Sequence, residues 1–354
     1  MKKIIVNGST LVKKEIFGVQ RNTLELLRAL DSIAEKGEIT LAIPQNGERE
    51  ISFTNIEVER IPVDCNSIPE MKRWNLFGFT QYANEKNAQS VDLILSLPVW
   101  GCDVVAVYDC ITERFIQNAN SMKKRIHRLL YMARVWINLK RARIVITDSI
   151  SAKNDLMKYY GIPGDKIKVI YCGWQHFDRL NEDDKVLDRL SLKDREFFFS
   201  LGSRYYHKNY KWIVEAAKQN PQYKFVISGS SALSTSDDSL NEQIPNLIYA
   251  GYLKDEEVKA LMKKCKAFIH PSLYEGFGLP PLEAMSVGAR CIVSNVSSLP
   301  EIYGRSVWYI DPYNYNEINL GKIMMEEIED NTVVLNKYSW NKSAELFYKT
   351  IKGI

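Results

Sequence analysis

The chain has 354 residues, 45% of them apolar, which fills two cores and exceeds one domain of ordinary size. Its 47 basic and 43 acidic residues leave a formal charge of only +4, which argues against bulk nucleic-acid binding. Six scattered cysteines, at 65, 102, 110, 172, 265 and 291, form neither a C-x-x-C pair nor a metal spacing and suit a reducing cytoplasm. The opening MKKIIVNGST holds too short an apolar run for a signal peptide, and no run of about 18 apolar residues points to a membrane span. A cytoplasmic protein is expected, with peripheral contact on the inner face of the membrane left open.

In chain order, Lys3–Val6 reads as a short strand, and Val19–Leu30 as a helix with Leu24, Leu27 and Leu30 at helical spacing. Thr40–Ile43, Val91–Leu97, Val104–Tyr108 and Ile144–Thr147 are strand-like, with helical stretches between many of them. A second series follows: Val169–Tyr171, Phe197–Leu201, Phe225–Ser228, Leu247–Ala250, Ala267–His270 and Cys291–Ser294. This alternation predicts α/β architecture with parallel, doubly wound sheets. Two Rossmann-like domains are expected, residues 1–172 and 173–338, joined near 172–195 where Asp, Glu, Asn and Lys cluster. An amphipathic helix at 339–354 carries Trp340, Leu346 and Phe347. Ligands of such sheets lie outside the carboxyl ends of the strands, so the cleft between two facing domains is the expected site.

The run from His270 to Ile302, HPSLYEGFGLPPLEAMSVGARCIVSNVSSLPEI, carries most of the chemistry. It reads as strand end, glycine loop, helix, strand and a second loop opening a helix. Gly276 and Gly278 let the backbone approach a ligand. Pro280 and Pro281 suit a helix's first turn, where missing N–H groups cost little. The N–H groups of Phe277, Gly278 and Leu279, with the helix dipole, would face an anion. Glu275 sits in the loop and Glu283 eight residues on, in the helix's first turn, where the dipole alone could account for it. Two carboxylates beside an anion cradle make poor sense for phosphate alone. They suit a ligand that carries both a pyrophosphate and sugar hydroxyls, a nucleotide sugar.

The run Glu275-Gly276-Phe277-Gly278-Leu279-Pro280 with Glu283 downstream resembles the donor-site signature of retaining glycosyltransferases of the GT-B fold, family 4. The resemblance implies two Rossmann-like domains facing across a cleft, the first for the acceptor and the second for the donor. It implies a C-terminal helix that crosses back to the first domain. Glu283 would accept hydrogen bonds from the nucleotide ribose, and Glu275 would hold hydroxyls of the transferred sugar, with front-face attack and retention.

A departing pyrophosphate needs a metal or fixed positive groups. Asp183-Asp184 and Asp237-Asp238 sit in polar stretches and make no Asp-x-Asp motif on a strand end, so no metal and no cofactor are expected. The run FFFSLGSRYYHKNY supplies the charge instead, with Gly202, Ser203, Arg204, Lys208 and Asn209 after a strand. It is similar to the family's Gly, Arg and Lys-Asn arrangement; an exposed basic loop is the plainer reading. Gly18, in Phe17–Arg21, resembles the family's glycine loop or simply opens a helix. Tyr108-Asp109 stands where many members have His-Asp. Tyrosine is a poor base near neutral pH, which argues against a proton relay here. Asp109 either orients an acceptor hydroxyl or ends the strand. Thr147-Asp148-Ser149 resembles the family's strand-end serine, but Ser149 or Ser151 reads better as the cap of the next helix, and Tyr252 stands where the family lays the nucleobase.

Phe115–Arg143 contains no Asp or Glu but holds Lys123, Lys124, Arg125, Arg128, Arg134, Lys140, Arg141 and Arg143 among Leu129, Leu130, Tyr131, Met132, Val135, Trp136 and Ile137. Two readings stand: contact with an anionic membrane through residues 122–143, or the solvated face of a core helix. Met71, Trp74, Phe77 and Phe79 form an apolar lip or belong to the core. The expected function is a retaining, metal-independent glycosyltransferase. Its donor is a UDP- or GDP-sugar and its acceptor a glycan or lipid-linked glycan of a bacterial surface polysaccharide (O-antigen, capsule or exopolysaccharide). The rivals are a GT-B nucleotide-sugar epimerase and an inactive sugar-nucleotide-binding partner in glycan assembly.

Overall fold

A computed structural model describes residues 2–116, 119, 121–202, 205–229 and 243–353. The chain forms two compact units, Met1–Gly173 with Trp340–Ile354, and Trp174–Ser339.

The first unit is built on parallel strands β1 (Ile4–Asn7), β2 (Ile39–Pro44), β3 (Glu57–Ile61), β4 (Gln89–Asp92), β5 (Val104–Ala106), β6 (Ile144–Thr147) and β7 (Ile167–Val169). Their order is β3-β2-β1-β4-β5-β6-β7. Ile4, Ile5 and Val6 pair with Ile39, Thr40 and Leu41. The inner strands are buried on both faces and read as near-continuous apolar runs. β3, with the sequence EVERI, is half exposed at the sheet edge, and its charged alternation hid it from the sequence reading. The helix Gly18–Asp31 buries Leu24, Leu27 and Leu30. The helix Trp340–Lys352 packs against it, with Trp340 and Phe347 buried and Leu346 exposed. Lys352 Nζ donates to Glu38 Oε1 at 2.7 Å, and Ser343 Oγ to the Tyr171 carbonyl at 2.5 Å.

Three expected strands differ by two residues or more, and two strands, β3 and Trp308–Ile310, were not expected. Val91–Leu97 does not continue as a strand beyond Asp92. The fully buried Asp92 carboxylate accepts from the N–H groups of Ile94, Ser96 and Leu97, while Leu95 and Leu97 take φ of 58° and 51°. Those bonds satisfy a carboxylate that burial pushes toward protonation, and they fold the chain into a turn. β5 stops at Ala106 rather than Tyr108, and β7 lies two residues before Val169–Tyr171.

The second unit holds β8 (Phe197–Leu201), β9 (Lys224–Ser228), β10 (Leu247–Gly251), β11 (Ala267–His270), β12 (Cys291–Ser294) and β13 (Trp308–Ile310). All are parallel, in the order β10-β9-β8-β11-β12-β13. Phe197, Phe198, Phe199, Phe225 and Phe268 are buried, and Phe198 stacks on Phe225 at 5.3 Å. Residues 174–195 pack in this unit and do not act as a loose connector. Phe177 is buried there, and Lys259 Nζ donates to the carbonyls of Phe177 and Leu180 at 3.0 and 2.8 Å. Both sheets are doubly wound. Strand order reverses between β1 and β4 in one and between β8 and β11 in the other. No described helix is long and apolar enough to cross a membrane.

Candidate active site

In the second unit the chemistry gathers at the reversal. β8 runs out into Gly202 and the 3-10 turn Tyr206–Lys208; β11 runs out through His270 into the loop that carries Glu275. Strands that diverge at such a point open a crevice at their carboxyl ends. Lys208 Nζ lies 2.7 Å from Glu275 Oε1, and His270 Nε2 lies 2.9 Å from the same oxygen. An ionised carboxylate only accepts, so the His270 proton sits on Nε2. Burial would raise the Glu275 pKa, but Lys208 and His270 outweigh it and hold the carboxyl well below its ordinary range. Burial lowers His270 and takes His207, beside Lys208, down to about 4.

The loop is fixed from below. Ser297 Oγ accepts from the Glu275 N–H at 3.0 Å, and Ser298 Oγ donates to the carbonyls of Glu275 and Phe277 at 3.1 Å each. The Tyr303 hydroxyl donates to the Gly278 carbonyl. Gly278 takes φ of 88°, a left-handed conformation that favours glycine, and a Cβ there would press on Leu299 Cδ2 at 2.5 Å. Gly278 is also the N-cap of the helix Leu279–Ser286, with no side-chain cap, so the helix opens from Gly276, Phe277 and Gly278 with its positive end toward the loop. Asn209, at φ 55°, braces the Lys208 turn by donating to the carbonyls of Pro271 and Pro312 at 3.0 and 2.8 Å.

Glu283 lies beyond the first turn of its helix, not within it, so the dipole is not what holds it. Its Oε1 meets His176 Nε2 at 2.8 Å, and both side chains are buried. Tyr252 follows β10 and is 63% exposed. Arg204 and Ser203 lie outside the described residues, as does Asp237-Asp238. Among the described residues no group of three His, Cys, Asp or Glu is placed to hold a metal.

In the first unit the predicted residues divide. Gly18 is the first residue of its helix, and a Cβ there would meet nothing within 4 Å. Tyr108 is buried and turns its hydroxyl inward onto the Leu93 carbonyl at 3.0 Å. Burial drives its pKa upward. Asp109 Oδ1 accepts from the Ile111 N–H at 3.0 Å, a local turn bond three residues after β5 has ended. Met71, Trp74 and Phe79 are core; Phe77 alone of that group is exposed.

Sequence reading missed His176, His270 and a polar cluster at the first sheet's own reversal. Asn7, at the end of β1, donates from Nδ2 to Ser96 Oγ at 3.1 Å and to Asn75 Oδ1 at 3.3 Å. Ser9 Oγ donates to Asn75 Oδ1 at 2.7 Å, and Trp74 Nε1 to Asn7 Oδ1 at 3.1 Å. Asn75 belongs to a π-helical turn, Trp74–Gly78, a form frequent at functional sites. The available signal was Asn7 at the end of the first strand; nothing linked it to Asn75 or Ser96.

Residues 17–175 match the family model described as Glycosyltransferase Family 4, and residues 183–340 the model described as Glycosyl transferases group 1. The serotype-specific mannosyltransferase WbdA of Escherichia coli is 29% identical over 265 residues, 66% of this chain and 31% of that protein. The chain thus spans about a third of WbdA's length. The O-antigen chain mannosyltransferase B of Escherichia coli is 24% identical over 347 residues, covering 89% of this chain and 88% of that protein. The O-antigen chain mannosyltransferase RfbU of Salmonella typhimurium is 25% identical over 354 residues, covering 95% and 94%. Among solved structures, sucrose-phosphate synthase from Thermosynechococcus elongatus superposes with a TM-score of 0.74 at 15% identity, covering 100% of this chain and 99% of that one. HepE of Anabaena in complex with UDP and glucose superposes at 0.71 and 13% identity over 100% of both chains. These structural likenesses speak for the fold.

Proposed function

Because the chain belongs to glycosyltransferase family 4, the group 1 glycosyl transferases of GT-B fold, we propose that it moves one sugar from a nucleotide-sugar donor to a glycan hydroxyl with retention. The observation that carries this is the Lys208–Glu275–His270 group, part-buried at Lys208 and buried at the other two, at the reversal of the second sheet, beside the N-terminus of the Leu279–Ser286 helix. A fixed cation and a helix N-terminus suit a diphosphate. An ionised, rigidly held carboxylate suits sugar hydroxyls. Glu283, steadied by His176, takes the ribose, and Tyr252 offers its ring to the base.

In the reaction the bond from the anomeric carbon to the phosphate oxygen breaks, and the acceptor oxygen bonds to that carbon on the same face. The acceptor proton leaves with the diphosphate. Lys208, with Arg204, meets the charge that grows on the leaving group, and no metal is required. The amides and hydroxyls of Asn7, Asn75 and Ser96 suit a neutral sugar acceptor in the first unit. The names of the two relatives covered nearly end to end support mannose as the sugar and O-antigen synthesis as the setting.

The test is a thermal-shift screen of nucleoside diphosphates and nucleotide sugars with and without EDTA, since a ligand of the native state raises the melting temperature. A shift from one nucleotide family is expected, insensitive to EDTA and lost in Glu283→Ala. Followed by sugar transfer, that result rules out the binding-only and epimerase readings. No shift from any nucleotide would overturn the donor site.

A further inference from the structure

The helix Met122–Arg141 carries apolar residues on the wrong side for a solvated helix. Its inward side holds Val135, Asn138 and Leu139, all buried. Arg128 and Arg134 also turn inward, Arg128 Nε donating to the Thr112 carbonyl at 2.8 Å and Arg134 Nη2 to the Ser96 carbonyl at 2.7 Å. A surface helix ordinarily presents polar side chains opposite such a seam. This one presents Met122, Ile126, Leu129, Leu130 and Trp136, from 49% to 70% exposed. Those positions fall on a single stripe at helical spacing, opposite the buried residues. Exposed Lys123, Lys124 and Arg125 stand at one end, and Lys140 and Arg141 at the other. Arg141 also lies over the ring of Trp100, itself 62% exposed, at 6.0 Å. No Asp or Glu occurs from Phe115 to Arg143.

The geometry points to an anionic lipid bilayer as the partner of this face. The apolar stripe enters the boundary between headgroups and acyl chains, and the flanking bases meet lipid phosphates. A second copy of this chain fits worse: two-fold packing of the face on itself sets its bases against the same bases, with no carboxylate on the helix to answer them. A nucleic acid would meet the bases but leave the apolar stripe in water. The same helix steadies the acceptor crevice, because Arg134 also donates to the Leu97 carbonyl at 2.6 Å and so grips the loop that carries Ser96. A helix laid on the bilayer therefore brings the rim of that crevice to the surface where a lipid-linked acceptor presents its sugar. This last tie rests on the functional reading above; binding to the surface does not.

The test is co-sedimentation of the full chain with phosphatidylcholine vesicles, with and without phosphatidylglycerol. Binding is expected only with the anionic lipid and weakens with added salt. Replacing Lys123, Lys124 and Arg125 by glutamine should weaken it by about a hundredfold, at roughly fivefold per charge. Replacing Leu129, Leu130 and Trp136 by serine should also weaken it while leaving the melting temperature in place, since those side chains are exposed. Transfer to a water-soluble acceptor should be unchanged in both variants. If transfer to a soluble acceptor is absent in the wild type while vesicle binding behaves as described, the functional reading fails and the bilayer face stands. Three results would overturn the bilayer face: equal binding to both vesicle types that neither variant alters, dimerisation that the serine variant abolishes in a chain that ignores vesicles, or RNA binding that the glutamine variant abolishes in such a chain.

Discussion

Replacing Lys208 by methionine tests the charge pair at the centre of the proposed donor site. Lys208 Nζ stands 2.7 Å from Glu275 Oε1, with the two side chains 19% and 10% exposed. At that separation and an effective dielectric near 20, unit charges attract by roughly 6 kcal/mol. Much of this offsets the loss of water around both groups. Methionine keeps the aliphatic stem and removes the charge, so Glu275 stays desolvated with His270 as its nearest partner. Breaking one side of a buried pair costs about 3–5 kcal/mol, and Lys208→Met is expected near the lower figure because His270 remains. Adding Glu275→Gln removes the stranded charge, so the double variant should be about 2 kcal/mol more stable than Lys208→Met alone. Urea unfolding of the four proteins at neutral pH, followed by tryptophan fluorescence, closes the cycle. If the double variant's cost equals the sum of the two single costs within about 0.5 kcal/mol, the pair is not coupled and the site loses its electrostatic core. Turnover should fall by about a hundredfold or more in Lys208→Met, as when one charge-stabilising donor is removed.

His176→Leu removes the imidazole at 2.8 Å from Glu283 Oε1. A hydrogen bond to a charged group is worth about 1.5–3 kcal/mol, so the donor KM should rise at least about tenfold with kcat little changed; an unchanged KM separates Glu283 from donor binding. His207, which burial and Lys208 hold near 4, has an ordinary unfolded pKa near 6.5. Between those values the unfolded chain binds the extra proton, so stability falls as pH drops from 6.5 to 4, by about 3 kcal/mol. His207→Gln should flatten that part of the stability curve, and an unchanged slope refutes the assignment. Tyr108→Phe loses a buried bond to the Leu93 carbonyl and should cost about 1 kcal/mol in unfolding with transfer rates near wild type. A tenfold loss of rate at unchanged stability would place the hydroxyl on the donor instead.

The fold class was legible because buried parallel strands leave a plain signal: β6, β8, β11 and β12 begin and end where their apolar runs do. Elements were missed or misplaced where tertiary partners override that signal. Asp92 ends β4 inside an apolar run because its carboxylate collects three backbone N–H groups from the residues after it. β3 has no apolar run to detect. At the site, the Glu275–Glu283 loop was visible because its glycines and prolines are backbone requirements written locally. His176 was not, because it reaches Glu283 across 107 positions of sequence. The outward stripe of the Met122–Arg141 helix was half legible. Its composition was plain, but composition cannot say which of two apolar sides faces the core.

The two reversal points differ in a way that divides the chemistry. That of the first sheet is lined by the amides of Asn7 and Asn75 and the hydroxyls of Ser9 and Ser96, joined into one network that Ser96 ties to the buried Asp92 carboxyl. Such groups both donate and accept, which matches a sugar hydroxyl and gives no preference for an anion. That of the second sheet holds Lys208, an ionised Glu275 and a helix N-terminus, which suit a ligand with a charged end and a hydroxylated end. Had both crevices carried fixed charge, each would compete for the diphosphate. Had both been neutral, nothing would answer the negative charge that develops as the sugar leaves. On the proposed function the same topology would serve two different tasks, and what separates them is a handful of side chains at the carboxyl ends of β1 and β4 in one unit and of β8 and β11 in the other.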